Sequence, residues 1–194
     1  DWAQSRLPLE TRNRLRRRLF PNEDVDRFFR FVPEPDGRSD SCDYAELFWS
    51  HDGNPVQKWY HYLPVYDTYL RRFRGTPVRV LELVVSLGGS LELLRKFLGP
   101  DAVIYGVDIN PDCARFDGIA GRVRIGSQAD PDFLRSVVDE MGGVDVVIDD
   151  GSHVSPHMRA SLDVLYPLLS DGGVYIVEDT HACYWRSYLG GYGS

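Results

Sequence analysis

Residues 78–90 read Val-Arg-Val-Leu-Glu-Leu-Val-Val-Ser-Leu-Gly-Gly-Ser, a β-branched run that leads into a glycine-bearing turn. The run predicts a buried strand, and the turn opens a segment with helical periodicity. Short β-branched runs and helical segments keep alternating after this point. Such alternation is typical of βαβ units around a parallel sheet, so the sequence predicts an α/β fold.

The predicted elements divide the chain into two parts. Residues 1–43 form a predicted helical appendage and linker. We interpret its basic run Arg12–Arg18 as a solvated helix face, and the alternative is a contact with an anionic ligand or another subunit. Residues 44–194 form the α/β domain. Its predicted strands are residues 78–84, 103–107, 122–125, 144–148 and 174–177. Its predicted helices are residues 90–98, 132–141 and 156–169, the last with Ser155 as its N-cap and Pro156 in its first turn.

Composition excludes several classes of partner. The chain has 194 residues, 22 Lys and Arg against 29 Asp and Glu, and a formal charge of −7. Affinity for nucleic acids rests on Lys and Arg that neutralise phosphates, and the net charge of this chain is negative, so we expect no nucleic-acid partner. No apolar run approaches the roughly 18 residues of a membrane span, and the three cysteines have no metal-ligand spacing. We therefore expect a cytoplasmic protein with reduced thiols and no membrane partner.

The ends of the first three predicted strands carry polar residues that suit a nucleoside cofactor. Ligands of open parallel sheets bind outside the carboxyl ends of the strands. Glu82 precedes the glycine turn, and Asp108 ends the second strand, where a carboxylate accepts hydrogen bonds from ribose hydroxyls. The turn at residues 126–130 would hold an adenine ring, or Asp130 simply caps the next helix. The dinucleotide pattern Gly-x-Gly-x-x-Gly is absent, which disfavours a nicotinamide oxidoreductase.

The fourth and fifth predicted strands both end in paired acids. Asp149 and Asp150 follow one strand, and Glu178 and Asp179 follow the other. Such pairs repel unless a cation or hydrogen-bond donors hold them, and Mg²⁺ takes hard oxygen ligands of this kind. His153 lies three residues beyond Asp150, where an imidazole would accept a proton from a metal-bound hydroxyl. The alternatives are a solvated acidic rim and a histidine that packs or caps.

The aromatic segment before the first predicted strand has two interpretations. Residues 58–66 read Lys-Trp-Tyr-His-Tyr-Leu-Pro-Val-Tyr. One interpretation is a helix start at the sheet edge that contributes Tyr66, Tyr69 and Leu70 to the core. The other is a wall of the cofactor or acceptor pocket that includes Lys58 and His61.

Together these motifs resemble a known family over residues 58–185. The chain is similar to the metal-dependent S-adenosylmethionine sugar O-methyltransferases of the mycinamicin and calicheamicin deoxysugar type, with cephalosporin-hydroxylase-like relatives. The matching pieces are Lys58-Trp59, Tyr62, Tyr66, Leu81-Glu82, Ser86–Ser90, Tyr105–Asp108, Gly126–Asp130, Ile148–His153, Val177–Asp179 and Tyr184-Trp185.

The resemblance implies a fold, a reaction and a set of site residues. It implies a Rossmann-like class I methyltransferase sheet and Mg-assisted methylation of a sugar hydroxyl on a natural product or nucleotide sugar. It also implies a homo-oligomer. The implied Mg²⁺ ligands are Asp150, Glu178 and Asp179, with His153 and Asp150 as catalytic residues. The implied S-adenosylmethionine site consists of Glu82, Gly88, Ser90, Asp108, Ser127, Gln128 and Asp149.

Two departures from the family leave an alternative open. The family has glycine two residues after the strand-1 acid, where this chain has Val84, and a β-branched residue obstructs the backbone conformation that glycine permits. Residues 180–194 are too few for two further strands, so we expect a sheet that is short at the C-terminus, either because this is a shortened form of the family or with an open edge that another subunit covers. The alternative is a noncatalytic methyltransferase-fold subunit that has lost cofactor binding.

Overall fold

The computed structural model describes residues 42–189, and all contacts given below belong to this part of the chain. The predicted appendage at residues 1–43, with its basic run Arg12–Arg18, lies outside the described residues except for its last two positions. The appendage and the predicted boundary after residue 43 therefore stay predictions.

Five strands form one parallel sheet in the order β3-β2-β1-β4-β5. The predicted α/β sheet is thus confirmed. The strands are β1 Arg79–Leu83, β2 Val103–Asp108, β3 Arg122–Ile125, β4 Val144–Asp149 and β5 Leu169–Val177. Since β1 pairs with both β2 and β4, the strand order reverses between β1 and β4. The crevice beyond the carboxyl ends of these two strands is where an open α/β sheet binds its ligand.

Helices precede and connect the strands. They are α1 Asp43–Trp49, α2 Leu63–Leu70, α3 Gly89–Leu98, α4 Pro131–Met141 and α5 Ser155–Leu165. The start of α4 shows why the sequence folds as it does, because the Asp130 side chain accepts hydrogen bonds from the backbone of Asp132 and Phe133 at 3.0 and 3.1 Å. Gly142 ends this helix in the left-handed conformation, with φ of 77°. Glycine adopts that conformation without steric cost.

The predicted helix at residues 156–169 begins within one residue of its predicted start, but its predicted end and its predicted N-cap were wrong. It ends at Leu165, since Pro167 cannot continue an α-helix, and β5 begins at Leu169, five residues earlier than predicted. Ser155 is not the N-cap either. Val154 holds that position without a side-chain hydrogen bond, and the Ser155 hydroxyl is buried with no partner among the described residues.

Each face of the sheet buries its own hydrophobic core. On one face the core is formed mainly by α1, α2 and α3, with Tyr44, Tyr66 and Phe97 as its largest side chains. On the other face α4 and α5 supply Leu134 and Leu165. Helices on both faces explain why the central strands are apolar on both sides. Within residues 42–189 no helix is both long and apolar enough to cross a membrane.

The aromatic segment divides between core and surface. Tyr66 and Leu70 of α2 are fully buried, as predicted for the core. Tyr69 is 53% exposed, so its assignment to the core was wrong. A helix buries one stripe only, here formed by Leu63, Tyr66, Asp67 and Leu70, and Tyr69 lies about 100° around the helix from Leu70, beside that stripe. The segment before α2, together with Tyr66 of that helix, reaches the acidic strand ends.

Candidate active site

The carboxyl ends of β4 and β5 bring two acids and a histidine together. Strands β4 and β5 pair with Asp149 beside Val177, so the acids that follow each strand become neighbours. One ligand atom each from Asp150, His153 and Asp179 lies within 4.8 Å of the others. His153 Nε2 is 3.8 Å from Asp150 Oδ1 and 3.7 Å from Asp179 Oδ2. The resemblance implied that Asp150 and Asp179 share one metal site, and the structure brings these two acids together beside His153, while their role as ligands stays a prediction.

His153 itself has an unusual backbone and a free ring nitrogen. Its φ is 56°, in the left-handed region that few side chains adopt. Its Nδ1 is buried and has no hydrogen-bond partner among the described residues. The side chain is 22% exposed. Nε2 is therefore the ring nitrogen that faces the two acids, whereas Nδ1 is buried without a partner among the described residues.

Glu178, the third predicted metal ligand, contacts other groups. Its Oε1 accepts a hydrogen bond from the Tyr66 hydroxyl and one from Lys58 Nζ at 2.5 Å. The Glu178 side chain is 4% exposed, and burial raises its pKa although Lys58 lowers it. Glu178 does not belong to the group formed by Asp150, His153 and Asp179 within the described residues. Its role as a ligand stays a prediction.

Lys58 places a positive charge inside the acidic cluster. Its side chain is 1% exposed, and its Nζ lies 2.7 Å from Asp150 Oδ2, 2.5 Å from Glu178 and 3.8 Å from Glu82. Burial lowers the pKa of Lys58, but Tyr66 and the three carboxylates around it together raise the pKa well above its ordinary value. A buried ammonium group is tolerated here because carboxylates surround it.

Glu82 at the end of β1 is one of two fully buried carboxylates in the predicted cofactor site. It is 1% exposed, and its Oε1 accepts a hydrogen bond from the Ser90 hydroxyl at 2.5 Å. Its Oε2 is buried without a partner among the described residues. Burial raises the pKa of Glu82 to about 7, against the opposing effect of Lys58. An unpaired buried carboxylate oxygen is costly, so this atom is suited to accept a hydrogen bond from a ligand.

We expect Glu82 to make the unfolding free energy depend on pH. Its carboxyl binds a proton up to about pH 7 in the folded chain and up to about 4.5 in the unfolded chain. Between these values the unfolded state binds fewer protons, so stability falls as pH rises, by up to about 3 kcal/mol. Urea unfolding of the metal-free chain from pH 4.5 to 7 measures this fall.

Two variants make the assignment specific. In Glu82→Gln the unfolding free energy should fall less between pH 4.5 and 7, because a glutamine does not titrate. Glu46→Gln, at an exposed position of α1, is the matched control and should keep it. An equal slope in the Glu82→Gln variant would contradict the assignment.

Asp108 organises the glycine turn. Its Oδ2 accepts hydrogen bonds from the backbone of Val85 and Ser86 at 3.1 and 2.9 Å, and its Oδ1 accepts one from Asn110 at 2.8 Å. Gly88, at the N-cap of α3, has φ of 84°, which favours glycine. The predicted ribose contact of Asp108 stays a prediction. The structure adds a positioning role, since this carboxylate fixes the loop between β1 and α3.

Asp149 and Gln128 form a buried hydrogen-bonded pair. Gln128 Nε2 donates to Asp149 at 3.2 Å, and Gln128 Oε1 accepts from the Ser152 backbone at 2.6 Å. The Ser161 and Tyr175 hydroxyls donate to the other oxygen of Asp149 at 2.6 and 3.2 Å. These contacts tie the turn after β3 to the turn after β4. The Ser127 hydroxyl accepts a hydrogen bond from Ala129 N within the first of these turns. Contact of these residues with a cofactor stays a prediction.

Val84 adopts the backbone conformation that the sequence analysis associated with glycine. Its φ is 85°, and its backbone nitrogen donates to the Val107 carbonyl at 2.8 Å. The left-handed region costs an L-residue roughly 1–2 kcal/mol, and a β-branched side chain crowds it further. The turn therefore keeps the shape that glycine would permit, with backbone strain at Val84.

We expect Val84→Gly to raise the free energy of unfolding by about 1 kcal/mol. The substitution relieves the strain, and the entropy that glycine loses on folding offsets part of the gain. Urea unfolding measures the change. Val85→Gly is the control, because Val85 is buried and outside the left-handed region, so this variant should be less stable. Loss of stability in both variants would contradict strain at Val84.

The chemistry of the residues fits a divalent ion and a nucleoside cofactor. Asp150 Oδ1 and Asp179 Oδ2 are hard oxygen donors on neighbouring strand ends, the donor type that Mg²⁺ prefers. The unpartnered Glu82 Oε2 lies at the end of β1, next to the glycine turn. Both features lie at the sheet edge where the strand order reverses.

The sequence analysis missed the roles of four side chains in the aromatic segment. Lys58 and Tyr66 contact Glu178, and Trp59 Nε1 and the Tyr62 hydroxyl donate to Asp179 Oδ1, both at 3.0 Å. One interpretation of the segment placed Tyr66 in the core, and the structure shows it both buried and in contact with Glu178. The signal was present, because a lysine, a tryptophan and three tyrosines occur within nine residues, but the sequence does not show which strand end they reach.

The chain is similar to curated sugar O-methyltransferases, although no family model matches it. L-olivosyl-oleandolide 3-O-methyltransferase of Streptomyces antibioticus is 40% identical over 136 residues, which are 66% of this chain and 35% of that protein. Mycinamicin VI 2''-O-methyltransferase of Micromonospora griseorubida is 38% identical over 136 residues, which are 66% of this chain and 34% of that protein.

A solved structure agrees with these relatives. The MycE methyltransferase of the mycinamycin biosynthetic pathway, in complex with Mg, SAH and mycinamycin VI, matches with a TM-score of 0.70 at 35% identity. The match covers 79% of this chain and 41% of that chain. The chain thus spans less than half the length of each of these three proteins.

Proposed function

We propose that this chain, which is homologous to the sugar O-methyltransferases of macrolide and tetracenomycin pathways, transfers a methyl group from S-adenosylmethionine to a sugar hydroxyl with the help of Mg²⁺. The observation that carries the proposal is the convergence of Asp150, His153 and Asp179 at the carboxyl ends of β4 and β5. These strand ends adjoin the crevice where an α/β sheet binds its cofactor.

The proposed metal ligands are Asp150 and Asp179, with Glu178 as the third. When bound, the ion would orient a sugar hydroxyl and lower its pKa. His153 then accepts the hydroxyl proton on a ring nitrogen, as a general base. The sugar oxygen forms a bond to the methyl carbon while the bond from that carbon to sulfur breaks. The sulfur leaves as the neutral thioether of S-adenosylhomocysteine, and the remaining task of the protein is to align the two reactants.

The proposed cofactor site lies on the other side of the same crevice. The unpartnered Oε2 of Glu82 supports it, because that atom needs a hydrogen-bond donor. Asp108 and Gly88 shape the turn that would contact the cofactor. The full set of proposed cofactor residues is Glu82, Gly88, Ser90, Asp108, Ser127, Gln128 and Asp149.

The proposed acceptor is a glycoside of a natural product or a nucleotide sugar. The names of the relatives support this class, since they specify methylation of olivosyl-oleandolide, of rhamnosyl tetracenomycin C and of mycinamicin VI. The relatives are named as enzymes, which favours catalysis over the noncatalytic alternative. A cytoplasmic location and a homo-oligomeric state stay predictions.

Calorimetry and a methyl-transfer assay test the proposal. The 194-residue chain should bind S-adenosylhomocysteine and should transfer a labelled methyl group to deoxysugar glycosides in the presence of Mg²⁺. A chelator should stop the transfer, and added Mg²⁺ should restore it. Failure to bind the cofactor would reject the enzyme for this chain and would favour the noncatalytic subunit.

A further inference from the structure

We propose that Lys58, Trp59, Tyr62 and Tyr66 form an outer clamp that positions the carboxylates of the metal site. The inference rests on the proposed function, because it concerns residues that would hold the ion. None of the four was predicted as a ligand. They are positioning residues, which act on the ion only through Asp150, Glu178 and Asp179.

Asp150 and Asp179 each use one oxygen for the clamp and turn the other toward His153. Asp150 Oδ2 accepts from Lys58 Nζ at 2.7 Å, while its Oδ1 lies 3.8 Å from His153 Nε2. Asp179 Oδ1 accepts from Trp59 and Tyr62, while its Oδ2 lies 3.7 Å from the same nitrogen. The clamp therefore fixes which carboxylate oxygen of Asp150 and of Asp179 faces His153.

Tyr62 fixes Asp179 through two contacts. Its hydroxyl donates to Asp179 Oδ1 at 3.0 Å and accepts from the Asp179 backbone nitrogen at 3.1 Å. The backbone of Asp179 is left-handed, with φ of 52°. Rotation of the carboxylate would break its hydrogen bonds from Trp59 and Tyr62 together. Outer-shell partners of this kind typically change metal affinity about 10- to 100-fold when they are removed.

The clamp is anchored in the hydrophobic core. Tyr66 belongs to α2, is fully buried and stacks on Tyr44 with ring centroids 4.8 Å apart. Its hydroxyl and Lys58 Nζ both donate to Glu178 Oε1. A segment held in this way can position the ends of β4 and β5 relative to each other before an ion arrives. Such pre-organisation lowers the cost of binding.

Tyr62 and Trp59 give the clearest test. Lys58 both orients Asp150 and repels a second cation, so its removal has opposing effects on metal affinity. Tyr62→Phe removes one hydroxyl and leaves the charge of the site unchanged, and Trp59→Phe removes one indole N–H donor. Tyr60→Phe is the matched control, because Tyr60 lies in the same segment, is 57% exposed and is outside the clamp.

The measurement is Mn²⁺ binding to the 194-residue chain by electron paramagnetic resonance. We expect the dissociation constant to rise about tenfold in Tyr62→Phe, to rise in Trp59→Phe, and to rise further in the double variant. Tyr60→Phe should bind like the unaltered chain. The thermal unfolding midpoint without metal and the affinity for S-adenosylhomocysteine should stay constant, which a general disturbance of the fold would not allow.

The possible outcomes separate this inference from the proposed function. If Tyr62→Phe and Trp59→Phe bind Mn²⁺ as tightly as Tyr60→Phe, the clamp is rejected and the proposed function stands. Loss of metal affinity together with cofactor affinity and the unfolding midpoint would also reject a positioning role. If the unaltered chain binds neither Mn²⁺ nor Mg²⁺, the metal-assisted function fails, and the clamp fails with it.

Discussion

His153→Asn should lower kcat for methyl transfer by about 10²- to 10⁴-fold, the usual contribution of a general base. Asparagine tolerates the left-handed backbone of this position, where φ is 56°, better than most residues do. The variant should therefore keep its fold while it loses the group that accepts the proton. Initial rates at saturating cofactor and Mg²⁺, with a glycoside that the unaltered chain methylates, measure the effect.

Metal affinity separates the two possible roles of His153. If His153 is only a general base, His153→Asn should leave Mn²⁺ affinity almost unchanged. If His153 is a metal ligand, the same substitution should lower Mn²⁺ affinity. Its distances of 3.8 and 3.7 Å to the two carboxylates are compatible with either position beside an ion. A parallel fall of kcat and metal affinity in His153→Asn would contradict the base and assign the imidazole to the ion.

Asp150→Asn should weaken Mg²⁺ binding by more than about 100-fold, beyond the range typical of an outer-shell partner. The change removes a negative charge and keeps the shape of the side chain, and the charge of its ligands sets the affinity of a divalent site. Methyl transfer should fall with it and should recover in part at high Mg²⁺. Calorimetric titration and rates across a Mg²⁺ series measure both effects.

The control for this substitution lies on the neighbouring strand. Asp171→Asn replaces an exposed carboxylate of β5, remote in sequence from the acids at the end of that strand, and should leave metal binding unchanged. Asp150 also contacts Lys58, so the metal-free unfolding midpoint is measured in parallel. Unchanged Mg²⁺ affinity in Asp150→Asn would exclude this carboxylate as a ligand.

The sheet was largely predictable because its signals are local. Each of the five observed strands overlaps a predicted one, and the acids at the ends of β4 and β5 were recognised from their position after an apolar run. The predicted end of α5 was wrong because the helical periodicity of the apolar residues continues to Leu169, although Pro167 cannot continue an α-helix. The predicted start of β5 was wrong because Gly172 and Gly173 interrupt the apolar pattern of that strand.

The sequence by itself determined the parallel α/β sheet, the glycine turn and the acids that converge at one edge, because parallel strands bring their carboxyl ends together. Only the tertiary structure decided which carboxylate oxygen of each acid accepts a hydrogen bond from the aromatic segment. Lys58 lies 92 residues from Asp150 and 120 from Glu178, and no local pattern encodes a contact across that distance. Burial made the contact between Lys58 and Glu178 necessary, because a buried ammonium group and a buried carboxylate each need a partner, and the packing of α2 brings the two within reach.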